Sequence, residues 1–169
     1  DDQTWIMNPV PAFSYGLNVA VSYKNFDLSM FWQGVADQDI YNNQKFQTDF
    51  WSITDAGSNK GNRMLNAWTS DNTDSSIPAL TTNNTADEGR VSTYYVENGS
   101  YLKLRTLQLG YNVPEKFISK LKMSSLRAYI SGQNLLTLKS SSLTCSDPEN
   151  PSWAYPLATS ISFGLQVGF

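Results

Sequence analysis

Five segments of this chain alternate between apolar and small polar side chains at every second residue. In the segment from Phe13 to Tyr23, Phe, Tyr, Leu and Val lie on one face and Ser, Gly, Asn and Ala on the other. A period of two is typical of β-strands with one apolar face. We predict strands at residues 13–23, 26–34, 100–112, 125–138 and 159–169. Each has roughly 9–13 residues, longer than the usual strand and enough for a tilted strand to cross a bilayer.

The connections between these segments alternate between short and long. The dipeptide KN joins the first two segments, which predicts an antiparallel hairpin. A polar loop over residues 35–98 follows, then the turn PEKFISKLKM, and last a loop over residues 139–156. Long loops without regular structure are uncommon in compact soluble domains. Outer-membrane barrels, in contrast, combine short periplasmic turns with long extracellular loops.

The composition excludes several function classes. The net charge is −3, and the 12 basic residues are scattered, so we expect no nucleic-acid partner. The chain has no histidine and one cysteine, which disfavours zinc sites and general-base catalysis. The carboxylates of Asp27, Asp147 and Glu149 have no convergent acid–base partners in the sequence. We therefore predict no enzyme activity, no cofactor and no metal site.

The alternation alone leaves two directions open for the apolar face. In a secreted soluble β-sandwich that binds carbohydrate through loop tryptophans, the apolar face would pack against a second sheet. In a membrane barrel it would face lipid. The polar face is poor in Lys and Glu, and aromatic residues gather at the strand ends, as at Tyr23, Phe26 and Trp32. Both features favour the membrane. Five strands cannot close a barrel, so this alternative makes the chain part of a longer one.

One predicted strand changes its apolar phase. Leu102 and Leu104 alternate in one phase, whereas Leu107 and Leu109 alternate in the other. Either a β-bulge lies near Arg105, or the basic residues there lie beyond the apolar band.

Several motifs resemble a known family when read in order. They are YGLNVAVSYKNFDLSMFWQGV, GSYLKLRTLQLGYNVPEKF, LRAYISGQNLLTL, DPEN and YPLATSISFGLQVGF. This series resembles the C-terminal motifs of the SusC/RagA-type TonB-dependent outer-membrane transporters of Bacteroidota. The resemblance implies an all-β fold, with antiparallel up-and-down transmembrane strands that form about the last five strands of a plugged barrel of about 22 strands.

The same resemblance implies a function and partners. The intact protein would import a nutrient, either a glycan or a peptide, with energy from the TonB complex acting through an N-terminal plug. A SusD-like surface lipoprotein, the barrel assembly machinery and the lipid bilayer are the other implied partners. Loops 35–98 and 139–156 would be extracellular, and the short turns periplasmic.

Three sets of residues are candidates for function. In the loops, aromatic residues that could contact substrate or partner are Trp51, Trp68, Trp153 and Tyr155. On the polar face, Asp27 and Arg127 are expected to lie in the barrel lumen and to pair. By similarity, the signal read by the assembly machinery comprises Ile161, Phe163, Leu165, Val167 and Phe169.

The chain departs from the family pattern at three positions. Ala67 precedes the Trp of the WT motif and Ala79 follows IP, where the family usually has arginines. Cys145 lies where a glycine is more usual before DPE. If those arginines brace the long loop, the bracing must differ here.

Overall fold

The fold is built around one antiparallel sheet of five long strands. The computed structural model describes residues 4–50, 59–80, 90–152 and 154–169. The long strands are β1 (Phe13–Tyr23), β2 (Phe26–Ala36), β5 (Tyr101–Asn112), β6 (Ser125–Lys139) and β7 (Ser160–Gly168). They pair in the order β1-β2-β5-β6-β7, so each long strand lies beside the next long strand along the chain. This is the up-and-down antiparallel arrangement expected from the sequence.

In the described ranges, two short strands and two short helices accompany the sheet. The strands β3 (Asp39–Tyr41) and β4 (Val96–Asn98) form a separate two-stranded ribbon. The helices are α1 (Asn43–Asp49) and α2 (Glu115–Ile118), and 3-10 turns cover Asn62–Asn66, Thr93–Tyr95 and Ser119–Leu121. Within the described residues, every helix is too short or too polar to cross a membrane.

The strand ends differ from the expected bounds by one or two residues. Val35 and Ala36, which the sequence pattern places in the long loop, continue β2 because they pair with Ser14 and Phe13. Lys139 likewise extends β6 by pairing with Tyr101. The segment 35–98 also contains β3, α1 and β4, where we had predicted only loop.

A β-bulge explains the change of phase in β5. Leu104 pairs with Trp32, and Thr106 pairs with Phe31, the residue of β2 adjacent to Trp32. Arg105 therefore has no partner on β2 and is the extra residue of the bulge. The bulge keeps Leu102 and Leu104 on the same face as Leu107 and Leu109 despite the slip. Of the two explanations that the sequence left open, the bulge is correct.

One face of the sheet is apolar from β1 to β7, and it is exposed. Phe13 on β1 is 68% exposed, Tyr23 at the other end of β1 67%, and Phe163 on β7 80%. A sandwich would cover such a face with a second sheet. In the described part of the chain this face remains open, as the wall of a membrane barrel requires. Among the described residues the open face thus favours a barrel wall over the soluble β-sandwich.

Side chains of the long loops form a core of their own at one end of the sheet. Phe50, Met64, Ala67 and Tyr95 are buried together, and Tyr94 packs against them. A second cluster joins Ile40 to Leu143 and Cys145, and so connects the two long loops. These loops are therefore folded onto one another above the strand ends.

Candidate functional site

On the polar face, an ion pair joins β2 to β6 over the intervening strand β5. Arg127 on β6 donates from Nε to Oδ1 of Asp27 on β2, at 3.0 Å, and its second nitrogen contacts Oδ2. Between them lies β5, where Gly110 pairs directly with Asp27. A Cβ at Gly110 would lie 2.5 Å from both Asp27 Oδ1 and an Arg127 nitrogen. Because Gly110 has no side chain, the two charged groups can meet over β5.

A cluster of charges anchors the loop 139–156 to the start of β5. We call it the charge anchor, and its members are Tyr101, Lys103, Arg105, Asp147 and Glu149. Lys103 is 2% exposed, and its Nζ lies 2.7 Å from Asp147 Oδ1 and 2.7 Å from Glu149 Oε2. Tyr101 donates its hydroxyl to Glu149 at 2.6 Å, and Arg105 contacts the same carboxylate.

The charge anchor keeps both of its carboxylates ionised. Burial alone would raise the pKa of Asp147, but hydrogen bonds from Lys103 and from the backbone N–H groups of Glu149 and Leu157 outweigh it, so the pKa lies below its ordinary value. The pKa of Glu149 is lowered in the same way by Lys103, Tyr101 and Arg105 against the effect of burial. The positive charges of Lys103 and Arg105 therefore balance the negative charges of the two carboxylates where the loop 139–156 meets β5.

The bulge gives Arg105 its position in this cluster. Arg105 also donates from Nε to Gln33 Oε1 at 3.0 Å, across the β2–β5 pair. From the sequence, Lys103 and Arg105 were predicted only to lie beyond the apolar band, as one of two explanations of the phase change. Their alternation with Leu102 and Leu104 was the available signal, since it places them on the opposite, polar face.

A second polar network lies inside the long loop 35–98. Asp49 is fully buried, and it accepts hydrogen bonds from Arg63 Nε at 2.8 Å and from the Tyr94 hydroxyl at 2.7 Å. Burial and the Asp49 carboxylate both raise the pKa of Tyr94, which stays protonated as a donor. Arg63 therefore braces the loop here. Ala67, where the resemblance implied an arginine, packs into the apolar loop core.

Glu97 links the two long loops. Its carboxylate accepts from Asn42 Nδ2 and from the backbone N–H of Thr144, each at 2.8 Å. Lys45 Nζ lies 3.5 Å from Glu97 and 3.9 Å from the centre of the Tyr94 ring. Glu97 is 7% exposed, so these partners offset the cost of its burial.

A cleft of about 510 Å³ opens between these networks. Its lining includes Lys45, Arg63, Ile77, Tyr94, Glu97 and Thr144. The lining mixes cationic, anionic and aromatic groups, which suits a polar ligand with a planar or apolar part.

The loop aromatics predicted from the sequence have different positions. Tyr155 is 95% exposed and Trp68 is 44% exposed, so both offer ring surface. Trp51 and Trp153 lie outside the described residues.

Cys145 is 1% exposed, its Sγ lies 3.4 Å from the carbonyl oxygen of Asp147, and burial raises the pKa of its thiol. The structure thus brings Cys145 next to the charge anchor.

Comparison with curated proteins finds TonB-dependent receptors of Formosa agariphila. The chain is 37% identical over 139 residues to TonB-dependent receptor P3, a match that covers 80% of this chain and 13% of the receptor. It is 28% identical to TonB-dependent receptor P26, covering 100% of this chain and 18% of that receptor. The chain thus spans less than a fifth of the length of the curated relatives it matches. No protein-family model matches it.

Comparison with solved structures finds the RagAB peptide importer. Its structure in the open-open state superimposes with a TM-score of 0.76 and 26% identity, covering 95% of this chain and 17% of that chain. The closed-closed state gives a TM-score of 0.75 with the same coverage. The described fold therefore corresponds to less than a fifth of a chain of that importer.

Proposed function

This chain belongs to the SusC/RagA-type TonB-dependent outer-membrane transporters, and from that premise we propose that the full-length protein imports a nutrient oligomer, either a glycan or a peptide. Import would be driven by the TonB complex acting on a plug, and a SusD-like surface lipoprotein would assist in capture. The present segment would supply barrel wall and loops. The protein that it resembles in structure is a peptide importer, which favours a peptide cargo.

The exposed apolar face is the observation that carries this proposal. Leu17 on β1 and Leu165 on β7 are 59% and 72% exposed, at opposite edges of one sheet. Exposed apolar area of this extent is stable only against lipid or another apolar surface. The opposite face carries Asp27, Arg127 and Lys103, which a wet barrel lumen accommodates.

We propose that the folded loops lie outside the cell and the short turns lie in the periplasm. The loops 35–98 and 139–156 pack together at one end of the sheet, where a surface lipoprotein or a cargo would meet them. Trp68 and Tyr155 are the described aromatics placed to contact either. The sequence places Trp51 and Trp153 in the same two loops, so the proposal extends to them.

We also propose that the edge strand β7 is read by the barrel assembly machinery. Its outward residues Ile161, Phe163, Leu165 and Val167 share the apolar face, and Phe169 follows in phase. An open strand edge is a template for strand addition, and pairing with another strand satisfies it.

Uptake by cells tests the proposal. A strain that lacks the full-length gene would be complemented with it and grown on an oligopeptide mixture or an oligosaccharide mixture as the sole source of amino acids or carbon. We expect complementation to restore growth on one of the two, and deletion of TonB to abolish it. Growth that is independent of the gene on both mixtures would refute the proposal.

A further inference from the structure

Charge is segregated between the two ends of the sheet. The turns that join β1 to β2 and β5 to β6 carry four lysines, Lys24, Lys116, Lys120 and Lys122, and one acid, Glu115. The chain as a whole has a net charge of −3, so the remaining residues are acidic on balance. We call the four lysines the lysine collar.

The two turns lie side by side and present their lysines to solvent. The backbone N–H of Asn112, where β5 ends, donates to the carbonyl oxygen of Asn25 at 2.8 Å. All four collar lysines are exposed. Over residues 4–50, 59–80, 90–152 and 154–169, none of the four ammonium groups forms an ion pair. Within the described part of the chain, the ammonium groups of the collar are therefore not paired with a carboxylate.

Two aromatic rings lie beside collar lysines, at the end of the sheet where the short turns are. Tyr23 is on the exposed apolar face, and the ammonium of Lys24 lies 5.2 Å from the centre of its ring. Phe117 is 62% exposed, and Lys116 Nζ lies 4.8 Å from its ring centre. A tyrosine at the end of a lipid-facing strand sits at headgroup depth, and a lysine beside it reaches the headgroup phosphates.

We propose that the lysine collar binds anionic phospholipid headgroups of the leaflet that faces the short turns. This proposal rests on the barrel orientation proposed above. Exposed ammonium groups at the edge of an apolar wall fit headgroup phosphates in charge and in height. Phe117 would insert beside them, and the left-handed backbone of Lys122, with φ of 54°, turns the chain back toward β6 at the same level.

Lipid titration of the full-length transporter followed by native mass spectrometry tests this proposal. The ligands would be dioleoyl phosphatidylglycerol and dioleoyl phosphatidylcholine, and the readout is the ratio of their affinities. In the triple variant K116Q/K120Q/K122Q we expect the preference for phosphatidylglycerol to fall at least about tenfold, since each lysine near an anionic surface contributes to binding.

Two controls separate charge from shape and position. The variant K116R/K120R/K122R keeps the positive charge and should keep the preference for phosphatidylglycerol. Arg90→Gln removes an exposed cation from the long-loop end and should leave the preference unchanged. If the triple glutamine variant does not fold, the single variants Lys116→Gln and Lys120→Gln should each show a smaller loss, about threefold.

Three results would overturn the inference. The first is an unchanged lipid preference in a glutamine variant that still migrates as a folded barrel. The second is the same loss in Arg90→Gln. The third, in a parallel titration with lipid A, is a loss of lipid A binding instead of phosphatidylglycerol binding in the glutamine variant, because that would place the turns at the outer leaflet. Growth of the same variants on the imported nutrient tests the transport function separately, so failure of one proposal is distinguishable from failure of the other.

Discussion

Asp27 and Arg127 form an ion pair across an intervening strand, through the space left by Gly110. The three residues belong to β2, β6 and β5, so the pair fixes the relative register of three strands at once. A slip of one residue would move either charge to the apolar face. The sequence indicated the two polar positions and their pairing, but the role of Gly110 appears only when the register is known.

A double-mutant cycle measures this coupling. We expect Asp27→Asn and Arg127→Gln each to lower the unfolding midpoint of the full-length transporter, because each leaves an unpaired charge beside β5. The double variant should be less destabilised than the sum of the two, since no unpaired charge remains. Additive shifts would show that the pair contributes nothing to register.

Gly34 on β2 should tolerate a side chain far less well than Gly16 on β1. A Cβ at Gly34 would lie 2.4 Å from the backbone oxygen of Tyr101 and 2.7 Å from the Tyr15 ring, whereas at Gly16 the nearest atom, on Phe31, is 3.3 Å away. We expect Gly34→Ala to cost about 1–3 kcal/mol of stability, as overpacking does. Gly16→Ala is the matched control and should be nearly neutral. Equal unfolding midpoints for the two variants would contradict this.

The sequence predicted the sheet well and the loops poorly. The five long strands follow from an alternation of period two over many residues, which few other structures satisfy. Helix α1, by contrast, is a short segment of Asn, Gln, Lys and Thr around Phe46, whose composition has no helical pattern of its own. The helix forms because Phe46 packs against the loop core and because Asn42 caps its N-terminus, where Asn42 Oδ1 accepts a hydrogen bond from the backbone N–H of Lys45. Such tertiary contacts are invisible in a local pattern.

The contacts of the charge anchor also depend on tertiary structure that a local sequence pattern does not show. Lys103 and Glu149 are 46 residues apart, and their contact depends on the bulge at Arg105 and on the path of the loop 139–156. The phase slip in the sequence indicated a bulge, but not which loop residues would approach it. Nor did the sequence indicate that Arg63 would donate to the buried carboxylate of Asp49 and brace the loop 35–98.

Lys103→Met should detach the loop 139–156 from the barrel wall. Removing one member of a buried ion pair typically costs about 3–5 kcal/mol, and we expect about 3 kcal/mol because Glu149 keeps Arg105. Hydrogen–deuterium exchange should become faster at residues 143–150 and stay unchanged along β6. Lys120→Met removes an exposed lysine and is the control. Unchanged protection of the loop in Lys103→Met would refute the anchoring role.

Acid should release the same loop. The folded pKa values of Asp147 and Glu149 lie below their ordinary values of 3.8 and 4.5. Groups with lowered pKa values contribute their full stability above the ordinary values and lose it as the pH falls through the folded ones. We therefore expect constant loop protection from pH 7 down to about pH 5, and a steep loss below about pH 4. Lys103→Met should largely abolish this pH dependence. A transition near pH 6 would contradict the assignment to these carboxylates.

Tyr155→Ala should impair capture of cargo or lipoprotein without destabilising the barrel. The side chain is 95% exposed, so truncation removes almost no packing within the described chain. Exposed aromatic residues that contact a partner often contribute more than about 1 kcal/mol to binding. We therefore expect uptake at limiting nutrient concentration to fall about fivefold, with an unchanged unfolding midpoint. Trp5→Ala, which truncates a 97% exposed ring, is the matched control. Equal uptake by the wild type and Tyr155→Ala would exclude Tyr155 from the contact surface and leave Trp68 as the described aromatic to test.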